Sequence, residues 1–172
     1  MSPAQRFQAW LNEHPGLIEK VVRAYARDLT EQDELRQEVY FQLWCSVPRF
    51  REEAGPTTWI YRVCLNTALT WRRAAGRRER HIDAAAETTG ILDQAPTPDR
   101  QVEQRDLVEG LYAALRKLPA SDRTLLVMLL DGLSYREIAE VTGLTENHVG
   151  VALTRARGRL AVQMKGTRNE LE

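Results

Sequence analysis

Cysteine is scarce in this 172-residue chain: Cys45 and Cys64 stand apart, with no Cys-x-x-Cys or Cys/His spacing around either. Neither a disulfide scaffold nor a zinc site is indicated, and both thiols are expected to be buried. Phenylalanine occurs three times and short alternating apolar runs are few, so no sheet is expected. Nowhere do the roughly eighteen consecutive apolar residues of a membrane helix occur. The N-terminal stretch MSPAQRFQAWLNEHPG lacks the basic-then-apolar order of a secretion signal, which points to a cytoplasmic protein. His14, His81 and His148 are isolated, and neither a catalytic set nor a glycine-rich phosphate loop accompanies them. No enzyme, no metal and no cofactor are expected.

Net charge is missing too, because 24 Lys+Arg balance 24 Asp+Glu. The charges are nevertheless segregated. Residues 48–82 carry eight basic and three acidic groups, residues 83–112 two and seven, and residues 145–172 five and three. Two basic islands flank an acidic linker, which is a distribution suited to a nucleic-acid partner.

What the chain has in quantity is helical period, so the fold class is all-α. The clearest stretch is LSYREIAEVTGLTENHVGVALTRARGRL, residues 133–160. Ser134 with Glu137 forms a capping box, Gly143 suits a left-handed helix stop, and Thr145 suits the N-cap of a second helix. Ala139, Gly143 and Val149 are spaced for a steep crossing, which makes a helix-turn-helix. In the second helix Val149, Ala152, Leu153, Ala156 and Leu160 share one side. Asn147, His148, Val151, Thr154 and Arg155 share the other, with Arg157 and Arg159 flanking it for phosphates. The plainer alternative is a helical hairpin with a solvated basic face.

Upstream, an apolar stripe from Leu17 to Leu29 makes a core helix beginning at Pro15. Leu35, Val39, Leu43 and Val47 mark another, capped by Thr30 or Asp33 and stopped by Pro48. Its outer face carries Glu34, Gln37 and Glu38, either solvated or meeting a protein partner. FREEAG, residues 50–55, reads as a loop, and Pro56 reopens a helix through WIYRVCLNTALTWRRAAGRR. Apolar groups lie on both of its sides, so it is either buried in a bundle or offers Tyr61, Arg62, Asn66, Arg72 and Arg73 to unstacked bases. Residues 81–105 read as a flexible linker. Leu107, Leu111, Leu115 and Leu118 then make a helix closed by Pro119, and Ser121 caps an apolar one ended by Asp131 and Gly132. These two helices complete a four-helix C-terminal domain.

Three of these stretches, in this order, resemble the extracytoplasmic-function (group 4) sigma factors of bacterial RNA polymerase. DELRQEVYFQLWCSVPRF resembles region 2.2, PTTWIYRVCLNTALTWRR regions 2.3 and 2.4, and LSYREIAEVTGLTENHVGVALTRARGRL region 4.2. The resemblance implies two small helical domains, region 2 over residues 1–82 and region 4 over residues 106–172, joined by a flexible linker over residues 83–105. It implies a non-catalytic subunit that binds core RNA polymerase and directs it to promoter DNA. Glu34, Gln37 and Glu38 would meet the clamp helices of the beta-prime subunit. Asn66, with Tyr61, Arg62, Arg72 and Arg73, would read the -10 element, and the loop 50–56 would surround a flipped base. Asn147, His148, Val151, Thr154, Arg155 and Arg157 would read the -35 element, with region 4 touching the beta flap. Many members also have an anti-sigma factor. The chain departs from the family at Gly150, Val151 and Ala152, where many members carry lysine, serine and arginine. A helix-turn-helix regulator that is not a polymerase subunit would share only the C-terminal half.

Overall fold

The computed structural model describes the backbone of residues 1–82 and 100–169, and side chains over residues 1–77 and 105–166. Among these residues there are eight α-helices and no strand. The first is α1, Pro3–Glu13, which the apolar period does not announce. Ser2 and Gln5 close a capping box around its start, with Pro3 at the first helical position. Next come α2, Pro15–Tyr25, and α3, Leu29–Ser46, followed by a 3-10 turn over Val47–Arg49. The cap of α3 is Asp28, whose carboxylate accepts from Glu31 N–H at 2.8 Å, rather than Thr30 or Asp33. An Asp upstream of two further candidates takes the role because its own backbone is extended.

Helix α4, Pro56–Ile82, is buried along two sides: Ile60, Tyr61, Cys64, Leu65 and Ala68 are all within the core. Of the two thiols expected inside, Cys64 is buried and Cys45 is exposed. Position 45 lies outside the α3 stripe Leu35, Val39 and Leu43, so the geometry of the helix turns it to solvent.

The linker read over residues 83–105 ends earlier than expected, since α5 spans Arg100–Lys117. The apolar repeat begins only at Leu107, but Arg, Gln and Glu upstream are good helix formers and carry the helix past its packed part. Residues 83–99 lie outside the described residues. Pro119, not Ser121, is the N-cap residue of α6, Ala120–Leu130, and no side chain caps it. At its end Gly132 takes φ +89°, and Gly132 and Leu133 N–H donate to Leu129 and Met128 carbonyls at 3.0 and 3.1 Å. That pair of bonds is a Schellman stop, and a β-carbon at this φ would be strained.

The helix-turn-helix forms as its residues dictate. In α7, Tyr135–Thr142, the Ser134/Glu137 capping box is present, and the helix ends on Gly143 with φ +77°. Thr145 caps α8, Glu146–Asn169, by accepting from His148 N–H at 3.2 Å. Val149, Leu153 and Ala156 are fully buried against α5, α6 and α7.

The two halves do not stand apart. α2 packs on α5 and α6, α4 packs on α7, and the buried residues of α1–α4 and α5–α8 join in one cluster. Tyr25 Oη and Thr124 Oγ1 lie 2.6 Å apart across the junction. Lys20 Nζ and Tyr61 Oη both donate to the Asp131 carboxylate.

Candidate nucleic-acid interface

Helix α3 turns Leu35, Val39 and Leu43 inward, which leaves Glu34 and Gln37 exposed and Glu38 half-buried on its outer side. The same side continues with Phe41 at 59% and Trp44 at 45% exposure. Both are large apolar groups on a helix already packed on its other face. From the sequence this face is assigned by its acidic residues alone, whereas a spacing of three and four residues from Glu34 to Trp44 places Phe41 and Trp44 on it too.

Beyond Pro56, the exposed positions among the described side chains of α4 are Arg62, Asn66, Thr70, Arg73 and Arg77, a stripe repeating every three or four residues. Three of the five candidate -10 residues, Arg62, Asn66 and Arg73, fall on it. Tyr61 does not: it is fully buried and hydrogen-bonded to Asp131, and burial followed by that bond holds its phenol well above the usual range. Arg72 points into the junction between the halves and lines a cavity there. Arg62 also reaches across, donating from Nε to the Val141 carbonyl at 3.2 Å and from Nη2 to the Glu140 carbonyl. Those carbonyls belong to the last turn of α7, where acceptors lack helical partners and a cation is favoured.

Two cavities flank the stripe. One, of about 430 Å³ between α3 and α4, is lined by Glu38, Gln42, Asn66, Thr70 and Trp71 among others. The Asn66 side chain makes no hydrogen bond to the described residues, so its amide can donate and accept. The other, of about 270 Å³, lies in the loop 50–56 and is lined by Phe50, Arg51, Glu52, Trp59 and Arg62 among others. Asn66 lines the first of these cavities and is not among the lining residues of the second.

Helix α1 props this loop. Trp10 meets Phe50 edge-on with ring centroids 5.3 Å apart, Phe7 meets Trp44 at 5.4 Å, and Arg6 pairs with Glu52 at 2.8 Å. Glu52 is the one non-glycine residue with positive φ among those described, at 61°. A glutamate held there is strained, and the Arg6 pair secures it. The helical spacing of Phe7 and Trp10 was the available signal for these positioning residues.

On α8, Asn147, His148, Val151, Thr154, Arg155 and Arg157 are all exposed, and the structure brings them together beyond the turn. Thr154 donates its hydroxyl to the Gly150 carbonyl at 2.9 Å. Arg159, expected to flank them at phosphates, instead pairs with the buried Asp122 at 2.6 Å and ties α8 to α6. At Gly150 an added β-carbon would meet the Tyr135 ring at 3.5 Å, an ordinary contact, so glycine is a choice rather than a steric necessity there.

Among the described residues no helix is long and apolar enough to cross a membrane. Comparison with known proteins gives two family matches, Sigma-70 region 2 over residues 10–78 and Sigma-70, region 4 over residues 109–160. The chain is 29% identical over 147 residues to the ECF RNA polymerase sigma-E factor of Haemophilus influenzae, covering 80% of this chain and 78% of that one. It is 30% identical over 128 residues to the ECF RNA polymerase sigma-E factor of Escherichia coli K12, covering 70% and 67%. The RNA polymerase sigma-H factor of Pseudomonas aeruginosa is 28% identical over 140 residues, covering 77% and 72%. The fold resembles that of RpoE in complex with the anti-sigma factor NepR from Bartonella quintana, with TM-score 0.66 at 19% identity over 94% of this chain and 96% of that one. It also resembles CnrH in complex with the cytosolic domain of CnrY, with TM-score 0.64 at 20% identity over 95% and 90%.

Proposed function

This chain belongs to the extracytoplasmic-function sigma factors of the sigma-70 family, and from that premise we propose how its residues divide the work of an RNA polymerase sigma factor. Residues 1–82 act as the polymerase-binding and -10-reading unit, and residues 106–172 as the -35-reading unit. The match over residues 10–78 favours this reading over a free-standing helix-turn-helix regulator, which has no use for region 2.

The observation that carries the proposal is the presence in one chain of three separate exposed faces, on α3, α4 and α8. The α3 face combines Glu34, Gln37 and Glu38 with Phe41 and Trp44. Acidic groups around exposed aromatics suit a basic, partly apolar protein surface, and the clamp helices of the beta-prime subunit are the proposed occupant. The α4 stripe and the α8 face supply cations for phosphates and amides for base edges. Asn66 reads an unstacked base in the α3/α4 cavity, whose Trp71 indole offers a stacking surface. Arg73 and Arg77 hold flanking phosphates. Beyond the turn, Asn147, His148, Val151, Thr154 and Arg155 face the major groove of the -35 element, with Arg157 on the backbone and Val151 placed for a thymine methyl. The beta flap is the proposed contact of the region 4 unit. The protein itself catalyses no reaction and works in the cytoplasm beside the polymerase. A protein antagonist of the kind NepR is for RpoE is an additional proposed partner.

Gel filtration of the chain with core RNA polymerase, followed by run-off transcription from a promoter library, tests this directly. Co-elution with promoter-dependent transcripts is expected. Binding to DNA without co-elution would return the chain to the free-standing regulators.

A further inference from the structure

The junction between the halves holds a cavity of about 340 Å³ that none of these roles uses. Five cationic side chains, Arg27, Arg72, Arg116, Lys117 and Arg123, line it beside the ring of Tyr25. No carboxylate is among the described residues of its lining. Some of this charge is held by the fold. Arg123 donates to the carbonyls of Leu115, Arg116 and Leu118 at 3.0, 2.7 and 2.9 Å, and stacks 4.9 Å from the Tyr25 centroid. Arg116 donates to the Arg23 carbonyl at 2.8 Å, and Arg27 pairs with Glu31 at 3.1 Å.

Arg72 is different. Its Nη1 is buried and has no hydrogen-bond partner. A guanidinium cannot shed its proton to escape this, and an unmade bond to a buried charged donor is unfavourable. Burial lowers the affinity of Arg123 for its proton, and Arg72 and Arg116 nearby push in the same direction. Like charges are thus gathered around a void with a free donor among them.

We propose that this cavity binds a compact phosphate-bearing anion, such as pyrophosphate or the phosphate end of a nucleotide. A phosphate offers several acceptor oxygens to several cations at once, and the planar fork of arginine matches its geometry. The volume is at the low end of small-molecule sites, about 300 to 1,000 Å³, and Arg123 and Tyr25 lie deep in the wall. Because Arg27 and Arg72 come from one half and Arg116, Lys117 and Arg123 from the other, an occupant ties the halves together. By linkage it favours the packed arrangement.

Isothermal titration of the full chain with inorganic pyrophosphate, at an ionic strength fixed with chloride, tests the site. Saturable binding is expected, with a rise in melting temperature that chloride does not reproduce. Arg72→Gln should weaken it at least tenfold, whereas Lys165→Gln, at an exposed cation of α8, should leave it unchanged. Arg27→Gln, at a half-exposed side chain of the cavity, replaces Arg72→Gln if the latter does not fold. A short single-stranded oligonucleotide separates the sources of phosphate. Weakening of pyrophosphate alone by Arg72→Gln identifies a free anion, and weakening of both ligands identifies the DNA backbone at the same site. No saturable binding, or equal losses from Arg72→Gln and Lys165→Gln, overturns the proposal.

Discussion

The Asn66 side chain is exposed, makes no hydrogen bond to the described residues, and borders a cavity with an indole in its wall. An exposed side chain with no internal hydrogen bond has little structural part to lose, so Asn66→Ala should leave the melting curve in place. It should reduce open-promoter formation by about 1 to 3 kcal/mol, the worth of one polar base contact. The defect should shrink on a template already unpaired at the -10 element; permanganate footprinting on both templates checks this, and equal defects would remove Asn66 from base capture. Its neighbour Tyr61 shows what a helical wheel cannot say. Period alone placed Tyr61 on a face shared with Leu65 and Leu69, open to either a bundle or a base. Which one holds depends on Asp131, seventy residues away, and local sequence carries no trace of that meeting.

At the scale of elements, α7 and α8 were legible almost to the residue because their caps, their glycine and their apolar spacing all act within a few positions. The proposed duplex contact of the exposed row on α8 is tested by salt dependence. Arg155→Ala and Arg157→Ala should each lower the log-log salt slope by about 0.9 if each neutralises one phosphate. A slope unchanged in both variants, with unchanged affinity, would move the readout to Asn147 or His148. On α3, reversing charge with Glu34→Lys and Glu38→Lys should weaken core polymerase binding while the helical circular dichroism stays intact, because neither side chain enters the core. Phe41→Ala should weaken it as well, since a 59% exposed ring contributes little to folding but much to a dry interface. Unaltered affinity in all three variants would detach this face from the polymerase. Less legible were α1 and the start of α5. The first is short and its aromatics pack on a distant loop; the second continues on propensity beyond any residue that the core buries.

For the molecule as a whole, the packing of the halves bears on the proposed reading of the -10 strand by α4. Arg62 is engaged by the end of α7, and Tyr61 and Lys20 by Asp131, so the full α4 surface is offered only when the halves separate. Asp131 is the test point. Its side chain is 16% exposed, while Lys20 at 41% can return to water. Asp131→Ala therefore leaves the Tyr61 hydroxyl buried without its acceptor in the closed arrangement, at a cost of about 1 to 3 kcal/mol. Separation of the halves relieves that cost, so the substitution shifts the balance toward the open arrangement. Apparent affinity follows the fraction of chain that is competent to bind. A shift of about 1.4 kcal/mol then tightens binding to a -10 single strand by up to about tenfold. Asp131→Asn keeps an acceptor for Tyr61 and should lie between the two. Small-angle scattering should show a larger radius of gyration for Asp131→Ala with an unchanged helical signal. If scattering and oligonucleotide affinity both stay at the values of the unaltered chain, this contact does not control the arrangement of the halves.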